Sequence, residues 1–388
     1  MSLPDVYIYD AVRTPRGKGR APRKDKPGGC LSGVSPHDLV ATAINALKLR
    51  NEGCAERTRR LTLGCVGQIG SQGGHLALVS RLAAQLPDHV STQTLNNYCV
   101  SGLTAVNNSF HSARAESFNT LPSSLYLAGG VESLSQVGFL ADQASYYIDP
   151  ALTQKLRWAP PIMGAELLAT LHEFTKHELD ELTQLSHQRA AKAWASGAFS
   201  DAVTPVMDAN GDVLLATDEL IRGDITVDEL AAMPPAFAEQ GALGFDAMML
   251  DHYPELSSIN HIHSIANCPG MADGAALVLL GDAQAGELAN LTPKARILAV
   301  AEASDDPVLQ FGAGFKAMEH VLRETELSIH DFDRIEFMEA FAAVPLKFMK
   351  DYAPDINKVN VNGGHLAMGH PMGATGAILL TQLVHELC

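Results

Sequence analysis

Ser91-Thr92-Gln93-Thr94-Leu95-Asn96-Asn97-Tyr98-Cys99-Val100-Ser101-Gly102-Leu103 joins a strand-like run, Ser91 to Leu95, to a helical run that continues through Thr104, Ala105 and Val106. A cysteine at this junction faces the unpaired N–H groups and the positive dipole end of the helix that follows. Both favour thiolate over thiol, and the thiolate is the nucleophilic form. Cys99 is therefore the expected nucleophile. A lone cysteine reads more readily as a small buried hydrophobe, and it is the remainder of the chain that reverses the choice.

Strands and helices alternate on both sides of this junction, which predicts an α/β fold with sheets covered by helices. Val6 to Val12 reads as a strand, His37 to Leu49 as a helix, Leu61 to Ile69 as a strand and Leu76 to Leu86 as a helix. Ser124 to Ala128 and Ala275 to Leu280 read as further strands. Between them the composition changes. Residues 137–263 carry helical runs at Gly164 to His172 and Glu178 to Ala195, both tryptophans and several Asp- and Pro-marked turns, the pattern of an inserted cap. A second series follows Lys294: strands at Ala295 to Ala301, Arg334 to Phe337 and Lys358 to Val361, and helices at Phe315 to Glu324 and Thr375 to Leu387. The expected layout is a first half at 1–136 and 264–290, a cap at 137–263, and a second half at 291–388. The two βαβα halves repeat in pattern only.

Bulk properties narrow the function. Apolar residues make up 46% and charged residues 19% of 388 residues, a globular balance with room for a large core. A net charge of −16 argues against nonspecific binding to nucleic acid or anionic membrane. The apolar run near the N-terminus is too short for a signal segment, and nothing approaches the roughly 20 apolar residues of a membrane span. Six dispersed cysteines (Cys30, Cys54, Cys65, Cys99, Cys268, Cys388) lack zinc-type spacing and read as free thiols of a reducing cytoplasm. His261 and His263 have no evident third ligand, so no metal site is expected. No Walker loop, dinucleotide fingerprint or GxSxG elbow occurs.

A thiolate nucleophile needs a base and donors for the developing oxyanion. The turn Gly363-Gly364-His365-Leu366-Ala367-Met368-Gly369-His370-Pro371-Met372-Gly373-Ala374-Thr375-Gly376 supplies the base: His370 precedes a helix, pinned by Pro371 and flanked by glycines that permit close approach. Glu339, in Met338-Glu339-Ala340-Phe341-Ala342, lies at another strand-to-helix turn. It reads either as an orienting carboxylate or as a helix cap.

The segments YIYDAVRTPRGK, NNYCVSGLTAVN, AGGVESLSQV, NCPGMADGAA, FMEAFAAV and NVNGGHLAMGHPMGATGA resemble the thiolase family in order and spacing, from about residue 6 to the end of the chain. Within the family the chain resembles the bacterial degradative β-ketoacyl-CoA thiolases, which share the long Gly244 to His263 segment. The resemblance implies a layered αβαβα core of two duplicated halves with an inserted loop domain that binds CoA. It also implies a ping-pong reaction: Cys99 attacks a 3-ketoacyl-CoA, acetyl-CoA leaves, and free CoA captures the acyl group. In reverse, two acetyl groups condense. His370 would activate Cys99, and the backbone N–H of Gly376 would join that of Cys99 in an oxyanion hole. Arg222, Asn267 and Pro269 match positions near bound CoA. Coenzyme A and acyl-CoA are thus substrates, with no permanent cofactor, and the expected assembly is a homodimer or homotetramer.

Three departures from the family pattern bear on activity. Met338 replaces the asparagine or histidine that holds a water or oxygen in the first oxyanion hole, and methionine has no donor. Cys388 matches the family's later Cys-x-Gly acid/base motif neither in spacing nor in context. Lesser departures are Pro269, where many relatives have a serine near the pantetheine, and Ile162, where some carry histidine; they point to altered acyl-chain selectivity. These departures leave two alternatives to a working thiolase: an acyl-CoA-binding subunit with impaired turnover, and an acyltransferase to a non-CoA acceptor. Finally, Arg13, Arg16, Lys18, Arg20, Arg23, Lys24 and Lys26 crowd one loop of an acidic protein. They read as a solvated loop, or as one that meets the CoA phosphates or a partner subunit.

Overall fold

A computed structural model of the chain describes residues 4–116 and 123–388; Met1 to Leu3 of the N-terminal reading fall outside it. The core is a mixed sheet built on β1 (Val6–Arg13), β2 (Thr58–Gly64), β3 (Ser91–Leu95), β4 (Leu125–Ser133), β5 (Ala272–Asp282) and β6 (Ala295–Ile297). Their order across the sheet is β3-β2-β4-β5-β1-β6, with the two-residue strand Gly17–Lys18 added beside β5. β2 pairs in parallel with β3 and β4, so all three point their C-terminal ends the same way. β5 runs antiparallel between β4 and β1. The loops after β1, β2, β3 and β4 therefore gather at one edge, together with the start of β5.

Side-chain alternation gives this sheet two apolar faces. Tyr9, Val12, Leu61, Leu63, Leu127, Leu277 and Leu279 turn toward α1 (Pro36–Arg50) and α2 (Leu76–Ala83). Val6, Ile8, Tyr126, Val278 and Leu280 turn the other way, against α3 (Ser101–Glu116), which contributes Val106 and Phe110. The cap region supplies α4 (Pro161–Leu171) and α5 (Lys176–Ser196); α5 opens with a Thr175–Glu178 capping box. The second half supplies α6 (Gly312–Thr325), α7 (Ala343–Tyr352) and α8 (Thr375–Leu387). Val384 of α8 joins the layer occupied by α3. A side chain at Gly376 would place its Cβ 2.6 Å from Cβ of Leu103, so glycine is what lets α8 and α3 touch at their first turns. That crossing brings the two predicted turns together.

The predicted helices fall within a few residues of those found, and the first-half strands likewise. The second half differs. Ala295 to Ala301 shortens to the three residues of β6, and Arg334 to Phe337 and Lys358 to Val361 form no named strands. They meet in a single parallel bridge, Ile335 to Val359. The cause is Asn360, whose φ of 44° turns the backbone out of the extended region. Its side chain then replaces the ladder, accepting from Phe337 N–H at 2.7 Å and donating to Phe337 O at 2.9 Å.

Arg13 and Arg16, expected in a solvated loop, are instead fully buried on Asp218. Arg13 holds that carboxylate through both terminal nitrogens at 2.8 and 2.9 Å, and Arg16 N–H and Trp194 Nε1–H add bonds at 2.8 and 3.1 Å. Burial alone would raise the Asp218 pKa, but Arg13 and Arg16 outweigh it and hold the group below its ordinary value. Removing one partner of a buried ion pair costs about 3–5 kcal/mol. Asp218→Asn should therefore lower the unfolding free energy by that order near pH 7, measured by chemical denaturation. A depressed carboxylate pKa contributes stability above its unfolded value of about 3.9 and loses it as pH falls. The gap between wild type and variant should close on acidification below about pH 4.

Candidate active site

Cys99 is held by a tight turn that its neighbours encode. Tyr98 adopts a left-handed φ of 47°, and its N–H donates to Asn96 Oδ1 at 2.9 Å, an Asx turn. Ser101 Oγ donates to Tyr98 O at 2.5 Å and accepts from Asn97 N–H at 2.8 Å. These bonds turn the chain sharply from β3 into α3 and leave Cys99 half-buried at the junction. In the facing turn, His370 N–H donates to Gly270 O at 2.8 Å, and Gly369 carries a φ of 88°. The result is a separation of 3.1 Å between Cys99 Sγ and His370 Nε2, residues 271 positions apart in sequence.

The other ring nitrogen of His370 lies 2.7 Å from Thr375 Oγ1. A neutral imidazole carries one proton. With that proton on Nδ1 and bound by Thr375, the Nε2 lone pair faces the thiol. Arg16 lies behind the same turn, donating to Gly369 O at 3.0 Å and to Gln382 Oε1 at 2.6 Å. Burial, with Arg16 adding to it, pushes the His370 pKa down to about 3. Burial first, then Glu132, pushes the Cys99 thiol up to about 12.

This corrects the expectation of a resting thiolate. Desolvation and the Glu132 charge outweigh the helix terminus, so the free pair is thiol and neutral imidazole. Burial raises other thiols as well, Cys54 to about 11 and Cys65 and Cys268 further still. What distinguishes Cys99 is the imidazole lone pair within proton-transfer reach.

Glu132, Thr375 and Arg16 carry the architecture; the sequence reading had given Glu132 and Thr375 no role and had placed Arg16 in a basic loop. Glu132 is fully buried. It accepts from Val66 N–H, Gly67 N–H and Gly373 N–H, each at 3.0 Å, and from Gln72 Nε2 at 2.7 Å. It thus ties the loop after β2 to the turn that bears His370. The signal for it was a carboxylate at the end of the otherwise apolar run AGGVES. The spacing of Thr375, five residues after His370, was the signal for the second group.

The remaining predicted site residues lie in several settings. Gly376 sits in the first turn of α8 against Leu103, adjacent to the Cys99–His370 pair. Glu339 lies elsewhere: its buried carboxylate accepts from Ser186 Oγ at 2.7 Å, Asn360 Nδ2 at 3.0 Å and Leu366 N–H at 3.0 Å. Occupied by these three donors, it clamps the cap helix α5 to the second half and does not reach the cysteine–histidine contact. A small pocket beside it is lined by Ser186, Arg189, Pro345 and Asn360 among others, and its lining includes neither Cys99 nor His370. Asn267 is likewise occupied. It donates to Asp180 Oδ1 at 2.9 Å and Thr183 Oγ1 at 3.2 Å and caps its own turn at Ser264, which makes it a buried brace rather than a ligand contact. Pro269 is partly buried and Arg222 exposed. His263 Nδ1 and His261 Nε2 pair with Glu166 and Asp246, at 2.9 and 3.0 Å. Among the described residues no group of three or more His, Cys, Asp or Glu side chains is placed to hold a metal ion.

A cysteine and a histidine 3.1 Å apart, presented by a strand-to-helix turn and a glycine-rich turn of a layered α/β fold, form an arrangement suited to covalent thiol chemistry. Residues 6–244 match the description "Thiolase, N-terminal domain" and residues 291–388 match "Thiolase, C-terminal domain". The chain belongs to the thiolase family and is an acyl-CoA C-acyltransferase. The beta-ketoadipyl-CoA thiolase of Pseudomonas aeruginosa is 31% identical over 404 residues, an alignment that takes in 99% of this chain and 92% of that protein. The 3-oxoadipyl-CoA/3-oxo-5,6-dehydrosuberyl-CoA thiolase of Escherichia coli K12 is also 31% identical, with 99% and 93% covered. Among solved structures, human mitochondrial 3-ketoacyl-CoA thiolase superposes with a TM-score of 0.83 at 28% identity, covering 99% of this chain and 92% of that one. The family's fold, a layered α/β core, is the fold found here.

Proposed function

We propose that this thiolase cleaves 3-ketoacyl-CoA by CoA through an acyl-enzyme on Cys99, in degradative acyl-CoA metabolism. The observation that carries the reading is the 3.1 Å contact between Cys99 Sγ and His370 Nε2. As sulfur attacks the C3 carbonyl, Nε2 takes the thiol proton, and Thr375 Oγ1 stabilises the Nδ1–H of the resulting imidazolium. The C2–C3 bond then breaks, its electron pair leaving on C2 as the enolate of acetyl-CoA. Return of the proton from Nε2 to C2 completes acetyl-CoA and restores the base. His370 next takes the proton of an incoming CoA thiol, which attacks the thioester carbonyl; the bond from carbon to Cys99 Sγ breaks, the shortened acyl-CoA leaves, and the Cys99 thiolate recovers the proton from Nε2.

One base thus serves both half-reactions. Cys388 is exposed, its Sγ 3.8 Å from Lys294 O, and has no part in the scheme. The backbone N–H groups of Cys99 and Gly376 are the oxyanion donors of the acyl-enzyme step. The cap at 137–263 holds CoA, with Arg222 and Pro269 along its path, and the halves at 1–136 with 264–290 and at 291–388 supply the thiol and the base. The working form is a cytoplasmic homodimer or homotetramer with no permanent cofactor. Among the described residues no helix is long and apolar enough to cross a membrane.

Loss of the 3-ketoacyl thioester on mixing the protein with acetoacetyl-CoA and CoA tests the reaction. The names of the bacterial relatives make 3-oxoadipyl-CoA the second substrate to try. Absence of cleavage with both would overturn the proposal. Met338 sets the expected rate. A missing oxyanion donor costs roughly 3 kcal/mol, about a hundredfold. Met338→Asn, which restores a donor, should raise kcat for acetoacetyl-CoA cleavage by about ten- to a hundredfold, read in the same assay.

A further inference from the structure

The loop from Gly17 to Cys30 carries five basic side chains (Lys18, Arg20, Arg23, Lys24 and Lys26) and a single acid, Asp25, in a chain of net charge −16. Arg23, Lys24 and Lys26 are exposed, and none of the five has an ion-pair partner among the described residues. The loop is shaped from within. Arg23 N–H donates to Lys26 O at 2.9 Å and Lys26 N–H to Arg23 O at 3.2 Å, closing a tight hairpin, and Gly29 N–H closes its base on Arg20 O at 2.9 Å.

The base of the hairpin is fastened to the active site. Gly19 N–H donates to Met271 O at 2.8 Å, and Met271 is bridged in turn to His370. Two strand steps of about 4.8 Å put Gly19 on the order of 10 Å from the His370 backbone. Glu219 Oε2 accepts from Lys18 N–H at 2.8 Å and from Cys30 N–H at 3.0 Å, holding both ends of the loop against the segment that carries Arg222. In that segment Leu220 lies against Gly270 and Gly369. The catalytic turn, the Arg222 segment and the basic hairpin are therefore linked in series, each held to the next by backbone or side-chain contacts.

We propose that this hairpin binds the phosphates of coenzyme A, through Arg23, Lys24 and Lys26. The inference rests on the thiolase reading above and adds to the contact assigned there to Arg222. The chemistry follows from the placement. The thiol end of CoA must reach Cys99, while the diphosphate and 3′-phosphate lie a pantetheine arm further out, where an acidic protein otherwise offers them repulsion. Unpaired lysines and arginines on a preformed turn supply the charge with little ordering cost.

The test compares wild type with the triple variant Arg23→Gln/Lys24→Gln/Lys26→Gln, which alters exposed side chains only. The variant should raise the KM for CoA in acetoacetyl-CoA cleavage about tenfold, with kcat within about twofold and a weaker dependence of KM on salt. With pantetheine in place of CoA, which lacks the phosphates, wild type and variant should behave alike. An unchanged KM for CoA, or an equal loss with pantetheine, would overturn the assignment. If wild type turns over no thioester, calorimetric titration with CoA decides. Wild-type binding that the variant weakens about tenfold keeps the hairpin assignment while the reaction proposal fails. Equal binding by both, or none by wild type, overturns the hairpin assignment itself.

Discussion

Cys99→Ala should abolish cleavage of acetoacetyl-CoA, lowering kcat by at least about 10⁴-fold and leaving no detectable acyl-protein. The size of the effect follows from the scheme. Without sulfur there is no covalent intermediate, and a residual reaction would need direct attack by the CoA thiol on the ketone. Loss of a nucleophile that works as a unit with its base removes most of the rate enhancement. Folding should be untouched, because Cys99 is only half-buried and its turn is held by Asn96 and Ser101 rather than by its own side chain. Circular dichroism and the denaturation midpoint should therefore match wild type while steady-state kinetics do not. Retained turnover would remove Cys99 from the mechanism.

His370→Ala should lower kcat by about 10³- to 10⁴-fold near pH 7 and change the shape of the pH profile. In wild type the base is neutral across the neutral range, because burial and Arg16 hold its pKa near 3, so activity should not fall as pH drops from 8 to 5. In the variant the thiolate must form by direct ionisation of a thiol with a pKa near 12. Its fraction rises tenfold for each pH unit below that value, and the variant's rate should climb accordingly between pH 7 and 10. Kinetics at several pH values read both slopes. A variant profile flat over that range would show that His370 is not what ionises the thiol.

Both predictions concern residues that could be picked out directly in the sequence. The cysteine before α3 and the histidine before α8 were visible because strand-to-helix turns use recognisable residues: asparagines and serine around Cys99, glycines and Pro371 around His370. The two-faced sheet was visible for a similar reason, since its alternating apolar runs mark which strands are covered on both sides. The second half was less legible. Arg334 to Phe337 and Lys358 to Val361 have strand-like composition, but Asn360 bends the chain, and its carboxamide takes the place of ladder bonds. Periodicity does not register a side chain that substitutes for the backbone.

The electrostatic state of the site was the least legible part. A helix N-terminus near Cys99 argued for a low thiol pKa, and burial first, then Glu132 brought in from β4, reverses it. Arg13 and Arg16 looked like members of a solvated basic loop, yet Asp218 lies some two hundred positions away in sequence and draws them into the core. Charges that meet only through the fold cannot be paired by local reading. Glu339 and Asn267 show the same limit: both sit in family motifs, yet Glu339 ties α5 to Asn360 and Leu366, and Asn267 ties the same helix to the Ser264 turn.

The most direct measurement is acyl trapping: brief incubation with acetyl-CoA, acid quench, proteolysis and mass spectrometry of every cysteine-containing peptide. The account predicts acetylation confined to the Cys99 peptide of wild type and absent from that peptide in His370→Ala at pH 7. Acetyl label on Cys30, Cys268 or Cys388, or undiminished labelling of Cys99 without His370, would contradict it.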